Sequence, residues 1–333
     1  MNKQREYGYV RDVQTEKDFV FGSSSIPQDI LQPDGNWREY LPVKELQAPY
    51  GFETYACTVF SILTCVEILI KRRYGIEKNY SDRFLAVASG TKNPGNSPRT
   101  VADFLRKIGV VPQDAWPYTP EVNSWDKWAT TLPKELYDLA KDFTDEFDFR
   151  YEIVPPYQGD ISKALMMSPL MISFYAWRPE NGKYIRPRGM TDNHAVAMFD
   201  ETEGDYREIF DSYDSPNIKK LEWKDEPQYA MRFWVQKKTE VEERKSVIWQ
   251  TIMSILKLIG IMGKKGEALV VPTPTPEPVV EKVRITQMAD AIKIFEGFFP
   301  PSKDHPGGSV SWKSNNPGNL KGTDGKFLKF VTY

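Results

Sequence analysis

Apolar positions are unevenly spread along this chain. They are scattered from Met1 to about residue 36, dense and periodic from Trp37 to Gln236, and concentrated once more in a run from Ser246 to Met262. Inside the dense stretch the period changes. Residues 57–74, 98–108 and 133–144 place apolar side chains at helical spacing, while 168–177, 193–200, 206–213 and 229–236 alternate or run apolar as strands do. Helices followed by strands predict an α+β fold, with helices on one side of an antiparallel sheet. The segment from Ala56 to Ile70 is apolar nearly all round, as a buried central helix is. Its end is marked by Lys71, Arg72 and Arg73, which face the helix's negative pole, and by Gly75, suited to the left-handed residue beyond the last turn.

The same pattern divides the chain into an extended, polar arm (1–36), a globular domain (37–240), a connecting segment (241–282) and a second module (283–333). The arm carries a Gly22-Ser23-Ser24-Ser25 stretch and scattered prolines. Within the connector, 246–262 is short for a bilayer span and reads as an amphipathic helix that contacts protein or membrane, the latter kept open by Lys264 and Lys265. The alternating prolines from Pro272 to Pro278 make a stiff extended spacer. In the second module Met288, Ile292, Phe295 and Phe299 recur at helical spacing.

Composition narrows the function classes. A chain of 333 residues with a net charge of −2 has no global field to attract nucleic acid or an anionic surface, so neither is expected as a partner on that ground. Aromatic residues at 13% supply material for a large core. The two cysteines, Cys57 and Cys65, fall on one helix too far apart to bridge, which excludes a disulfide scaffold. Residues 1–13 show no apolar run of the kind a secretory signal has, so export by that route is not expected.

Cys57 opens its helix, where unpaired backbone N–H groups and the positive pole favour a thiolate; Cys65, two turns further in, lacks that advantage and reads as a small buried hydrophobe. Of two histidines, only His194 lies before the proline spacer. It starts a β-prone run, Asn193 to Phe199, and a turn at 201–205 predicts a return strand from Tyr206 to Phe210 that brings Asp211 back beside it. A carboxylate there can fix the imidazole tautomer and stabilise an imidazolium, giving a Cys–His–Asp constellation. A histidine merely satisfied in the core beside an acidic loop is the competing reading.

Taken in order, these pieces resemble the papain family of C1-type cysteine peptidases over most of residues 37–236. Pro42-Val43-Lys44, Gln47, Cys57-Thr58-Val59-Phe60-Ser61 and Glu67 are similar to the family's Pro-Val-Lys, oxyanion glutamine, Cys-Trp-x-Phe-Ser and helix glutamate. Gly95, Ala102, Phe104, Gly109-Val110 and Trp116-Pro117-Tyr118 resemble its glycine-marked segment, helix and Tyr-Pro-Tyr turn. His194-Ala195-Val196 matches its His-Ala-Val, and Asp211-Ser212-Tyr213 stands where it usually has Asn-Ser-Trp. About four extra residues separate Gln47 from Cys57, Thr58 replaces tryptophan and Asp211 replaces asparagine, as in divergent phage-like relatives. The resemblance implies a two-lobed fold, peptide or protein substrates, no cofactor or metal, and folding in a reducing compartment. It also implies acyl transfer: Cys57 attacks an amide carbonyl, His194 protonates the leaving amine, Gln47 and the backbone N–H of Cys57 hold the oxyanion, and water hydrolyses the thioester. Trp177, Tyr213 and Trp223 are candidate cleft aromatics or core residues. The arm is too short for a long helical propeptide but can occupy the cleft.

Residues Ala289 to Phe299 followed by Ser314 to Lys321 resemble the start of lysozyme-like modules of phage and bacterial wall-degrading proteins, with Glu296 as general acid. About fifty residues make this a truncated copy. Besides a peptidase, the chain is thus open to being an inactive structural virion protein, or an endopeptidase or amidase acting on the bacterial cell wall.

Overall fold

The computed structural model describes residues 8–239, apart from 14, 16, 17, 24, 177–182, 185–188, 203–205, 214, 215 and 223–226. The apolar run at 246–262, the proline spacer, the module at 283–333 with Glu296, and Trp177 and Trp223 lie outside the described residues.

The chain runs through β1 (Gly8–Tyr9), α1 (Cys57–Tyr74), α2 (Asp82–Ala88), β2 (Gly95–Asn96), α3 (Pro98–Ile108), α4 (Trp125–Trp128), α5 (Lys134–Glu146), β3 (Phe147–Val154), α6 (Gln158–Leu165), β4 (Leu170–Phe174), β5 (Lys183–Tyr184), β6 (His194–Thr202), β7 (Tyr206–Phe210), β8 (Ile218–Glu222) and β9 (Ala230–Lys237). The expected α+β order holds. Helices α1 to α5 form one lobe, and the other is a sheet ordered β3-β9-β4-β6-β7-β8-β5, antiparallel except where β5 meets β8.

Local chemistry accounts for the element ends. Ser81 and Ser97 cap α2 and α3 by accepting from Phe84 N and Thr100 N, and Pro98 occupies the first turn of α3, where its missing N–H costs nothing. Gly75, at φ +64°, ends α1 after the three basic residues, as its sequence predicts. In α1 the side chains from Cys57 to Leu63 and from Cys65 to Ile70 are buried or nearly so, Thr64 being the half-buried break, and the helix packs on β6, β9 and β4. It is the element shared by both lobes.

Beyond the two-residue β1, β2 and β5, two longer strands, β3 and β8, fall outside the segments the sequence predicts. β3 follows α5 without an intervening turn residue, so nothing in the sequence separates the helical period from the alternation of Phe147, Phe149 and Tyr151. β8 is five residues long and carries two lysines, a pattern that reads as a charged loop.

The arm is extended yet docked. Val20 bridges Ile153 in parallel, Ile153 N donates to Phe19 O at 2.7 Å and Phe21 N to Ile153 O at 2.9 Å, lengthening the sheet beyond β3. Tyr9 and Ile26 are buried, so the arm adds to a core that the sequence begins only at Trp37. Trp37 itself is fully buried. Its indole N–H donates to Leu165 O at 2.7 Å and its backbone N–H to Phe199 O at 2.9 Å, joining α6 and β6.

Trp37→Ala removes a filled core site and orphans the Leu165 carbonyl. Urea unfolding is expected to show a loss of about 3–5 kcal/mol, and a loss under about 1 kcal/mol contradicts this packing.

Candidate active site

The loop from Gln47 to Ala56 brings the chain into α1, so that Cys57 is the first helical residue. Tyr55, just ahead of it, holds φ +55°, a left-handed conformation costly for a residue with a β-carbon. It is retained by neighbours: its N–H donates to Glu53 Oε1 at 3.1 Å, its hydroxyl accepts from Asn93 Nδ2 at 3.0 Å, and its ring meets Trp125 edge-on. The turn thus presents the cysteine at a fixed angle.

Packing of α1 on β6 sets Cys57 beside the start of that strand. The Ala195 backbone, one residue from His194, lies close enough to pull the Cys57 thiol down. His194 opens β6 opposite Phe174 of β4, with Asn193 N donating to Phe174 O at 3.1 Å and Asn193 Oδ1 accepting from Ala176 N at 2.8 Å. β7 returns antiparallel to β6, pairing Phe210 with Ala197, and places Asp211 at the imidazole: His194 Nε2 and Asp211 Oδ1 are 2.9 Å apart. Asp211 Oδ1 also accepts from Tyr213 N at 3.0 Å, and Asp211 Oδ2 from Lys219 Nζ at 2.7 Å. Burial by itself disfavours this carboxylate, but His194 and Lys219 more than offset that and hold its pKa at about 2. With Asp211 ionised, Nε2 carries the proton it donates, and Nδ1 is the nitrogen available in that tautomer to exchange a proton.

Gln47 is bound into the same cluster. Its backbone N–H donates to Ser212 O at 3.0 Å and its side-chain oxygen accepts from Ser212 Oγ at 2.7 Å. Its amide nitrogen lies 2.9 Å from Glu53 Oε1 and 2.8 Å from the Tyr213 hydroxyl, which in turn donates to Glu53 Oε2. The Tyr213 ring sits edge-on to the imidazole with centroids 5.2 Å apart, making it the one candidate aromatic among the described residues found against the site. Glu67, three turns into α1, accepts from Tyr80 N at 2.8 Å and ties the helix to the next loop.

The arm docks beside the turn that leads into α1. β1 runs parallel to β2, registering Gly8 with Gly95 and Tyr9 with Asn96, and Val10 N donates to Asn96 O at 3.1 Å. Thr58 Oγ1 lies 3.4 Å from Gly8 O and 3.2 Å from Asn96 O, so the residue after Cys57 joins both strands. A β-carbon at Gly8 would fall 2.2 Å from Tyr55 O and one at Gly95 2.0 Å from Gly8 O; only glycine fits either place. Downstream, Asp12 Oδ2 accepts from Arg99 N at 2.9 Å.

Cys57 is consequently 0% exposed, and burial pushes its thiol up, with the Glu53 and Asp211 carboxylates adding to the rise and the Ala195 backbone opposing it. The sequence leads one to expect the helix N-terminus to favour a thiolate. Here desolvation wins, because the sulfur is fully buried. Cys65 is also buried and raised by desolvation, as expected of a core residue.

Among the described residues no group of three or more His, Cys, Asp or Glu is arranged to hold a metal ion, and no helix is long and apolar enough to cross a membrane.

No family model and no curated protein sequence matches the chain. Among solved structures, xylellain, a cysteine protease from Xylella fastidiosa, matches with a TM-score of 0.53 and 18% identity, over 71% of this chain and 97% of that one. A recombinant stem bromelain precursor (TM-score 0.49, 18% identity, 68% of this chain and 77% of that one) and digestive procathepsin L 3 of the Tenebrio molitor larval midgut (0.49, 13%, 68% and 75%) are further matches. The fold is papain-like, with a helical lobe led by the Cys57 helix set against an antiparallel sheet that carries His194.

Sequence reasoning missed Glu53 and Lys219. Glu53 lies in the extra residues between Gln47 and Cys57, which have no counterpart in the motif. Lys219 reads as one of a pair of surface lysines, although its alternation with Leu221 points both to the same face.

The Asp211 carboxyl titrates near 2 in the folded chain against an ordinary 3.8, so its ionisation stabilises the fold above about pH 4 and that contribution disappears as the pH falls through 2. Between pH 5 and 2.5 the urea midpoint of the unmodified chain is expected to fall more steeply than that of Asp211→Asn. Parallel declines contradict the assignment.

Proposed function

We propose that residues 37–240 are a cysteine peptidase domain that hydrolyses peptide bonds through a thioester, with Cys57 as nucleophile, His194 as base and acid, and Asp211 as the group that orients the imidazole. The observation that carries this reading is the His194 Nε2–Asp211 Oδ1 contact at 2.9 Å at the start of β6, the strand on which the Cys57 helix packs. With Nε2 committed to Asp211, Nδ1 takes the thiol proton as sulfur attacks the carbonyl and returns it to the departing amine. The backbone N–H of Cys57 and the Gln47 amide supply the oxyanion donors; the latter turns from Glu53 or Tyr213 to do so.

In this reading the arm is a self-blocking strand. Gly8 and Tyr9 occupy the groove between β2 and the turn into α1, and their departure admits substrate and rehydrates the thiol. A second reading, a papain-like fold without activity, is favoured by the buried Cys57 and its raised thiol. The cell-wall reading, with Glu296 as an acid of a lysozyme-like module, and contact of 246–262 with membrane or protein rest on the sequence alone.

Labelling with an epoxide or iodoacetamide probe separates the first two. Gly8→Val in the full chain, which has no room for its side chain, is expected to dislodge the arm and speed modification of Cys57 at least about tenfold over Cys65; His194→Ala in that background abolishes the gain. Equal slow rates at both cysteines remove the peptidase reading. Cys57→Ala and His194→Ala are each expected to lower turnover of a peptide library by about 10³-fold or more. Release of muropeptides from sacculi without cleavage of denatured protein favours the wall enzyme instead.

A Glu53→Gln substitution takes a negative charge from beside the sulfur and is expected to shift the acid limb of Cys57 alkylation to lower pH. An unmoved limb shows that Glu53 acts through shape alone.

A further inference from the structure

Asp211 and Lys219 form a buried ion pair inside the candidate site. Lys219 Nζ lies 2.7 Å from Asp211 Oδ2 and 2.8 Å from Tyr213 O, and the lysine is 7% exposed against 0% for the aspartate. The pairing is built by the β7–β8 hairpin. Asp211 N donates to Asn217 O at 2.8 Å, Asn217 Nδ2 donates back to Asp211 O at 3.0 Å, and Lys219 pairs with Ile209, so that Lys219 and Asp211 fall diagonally on one face. A buried ammonium is costly to hold unless it is matched, and here it is matched by the carboxylate that also accepts the His194 hydrogen bond.

The two oxygens of Asp211 therefore have different work. Oδ1 takes the hydrogen bond of the imidazole, and Oδ2 takes the ammonium. A lone carboxylate at that place fixes the imidazole but also places a full negative charge beside it and within Coulombic range of the thiol, where it opposes thiolate formation. An uncharged acceptor fixes the imidazole with no such field.

We propose that Lys219 is a positioning residue that cancels the charge of Asp211, so that the pair offers His194 the hydrogen bond of a carboxylate and the net charge of an amide. This rests on the reading of His194 as the base. Among the described residues, the Tyr213 ring packs on the imidazole and its hydroxyl holds Glu53, Cys57 of α1 lies within Coulombic range of the Glu53 and Asp211 carboxylates, and Asp192, two residues upstream of His194, is directed to Ser173 Oγ and Gln228 N.

The chain has two histidines, so selective imidazole labelling reports His194 by NMR once His305→Gln identifies its resonance. In the full chain, Lys219→Met is expected to raise the His194 titration midpoint by about one pH unit or more, and Asp211→Asn to lower it by a similar amount. The double variant Asp211→Asn/Lys219→Met returns to within about half a unit of the unmodified chain, and Lys219→Arg stays there throughout. A merely structural lysine does not shift the midpoint in opposite directions with the two substitutions. An unmoved midpoint in Lys219→Met, or a double variant displaced by more than about one unit, overturns the proposal. If Lys219→Met does not fold, the double variant, which leaves neither charge behind, decides alone. These titrations do not depend on Cys57 reactivity: normal shifts with an inert Cys57 sink the peptidase reading and leave the charge cancellation standing, while alkylation that needs His194 without the shifts does the reverse.

Discussion

The site depends on where the end of one buried helix is held. α1 is enclosed along nearly its whole length, with Lys71, Arg72 and Arg73 in its last turn, so its register against β6 is set by side chains from Val59 to Ile70 rather than by anything at the cysteine itself. Because close-packed interiors resist sliding, that register delivers the first residue of α1 to the first residues of β6. The β6–β7 pairing then fixes the third group. The three candidate side chains come from three elements, and the loop before Cys57 adds only the angle at which α1 begins.

Electrostatically the site is a balance between exclusion of water and fixed partners. Desolvation raises Cys57, whereas the carboxyl of Asp211, equally buried, is held near 2 by the imidazole and the lysine. The difference lies in partners: the aspartate has two cationic or proton-donating neighbours, whereas the thiol lies within Coulombic range of two carboxylates. A resting state with a protonated sulfur follows from the same packing that orders the site.

Much of this was legible beforehand. The helices at 57–74 and 98–108 coincide with α1 and α3, because each carries strong periodicity between an unmistakable start and stop. The juxtaposition of His194 and Asp211 followed from a strand, a turn and a return strand. What stayed hidden was long-range or unpunctuated: β3 emerging directly from α5, the docking of the arm on β2 and Ile153, and the burial of Lys219, a residue type that sequence assigns to solvent unless its partner is already known. The pH behaviour of Cys57 was misjudged for the same reason. A helix terminus is visible in a sequence, but what covers it is not.

The two glycines of the β1–β2 pair carry one more implication. Their backbones approach Tyr55 O and one another too closely for any side chain, so the seat beside the cysteine accepts, in that direction and register, only a strand with glycine at its crossing point. A polypeptide with any other residue at that point cannot settle there in the same pose. A single β-carbon thus decides which strands fit this seat.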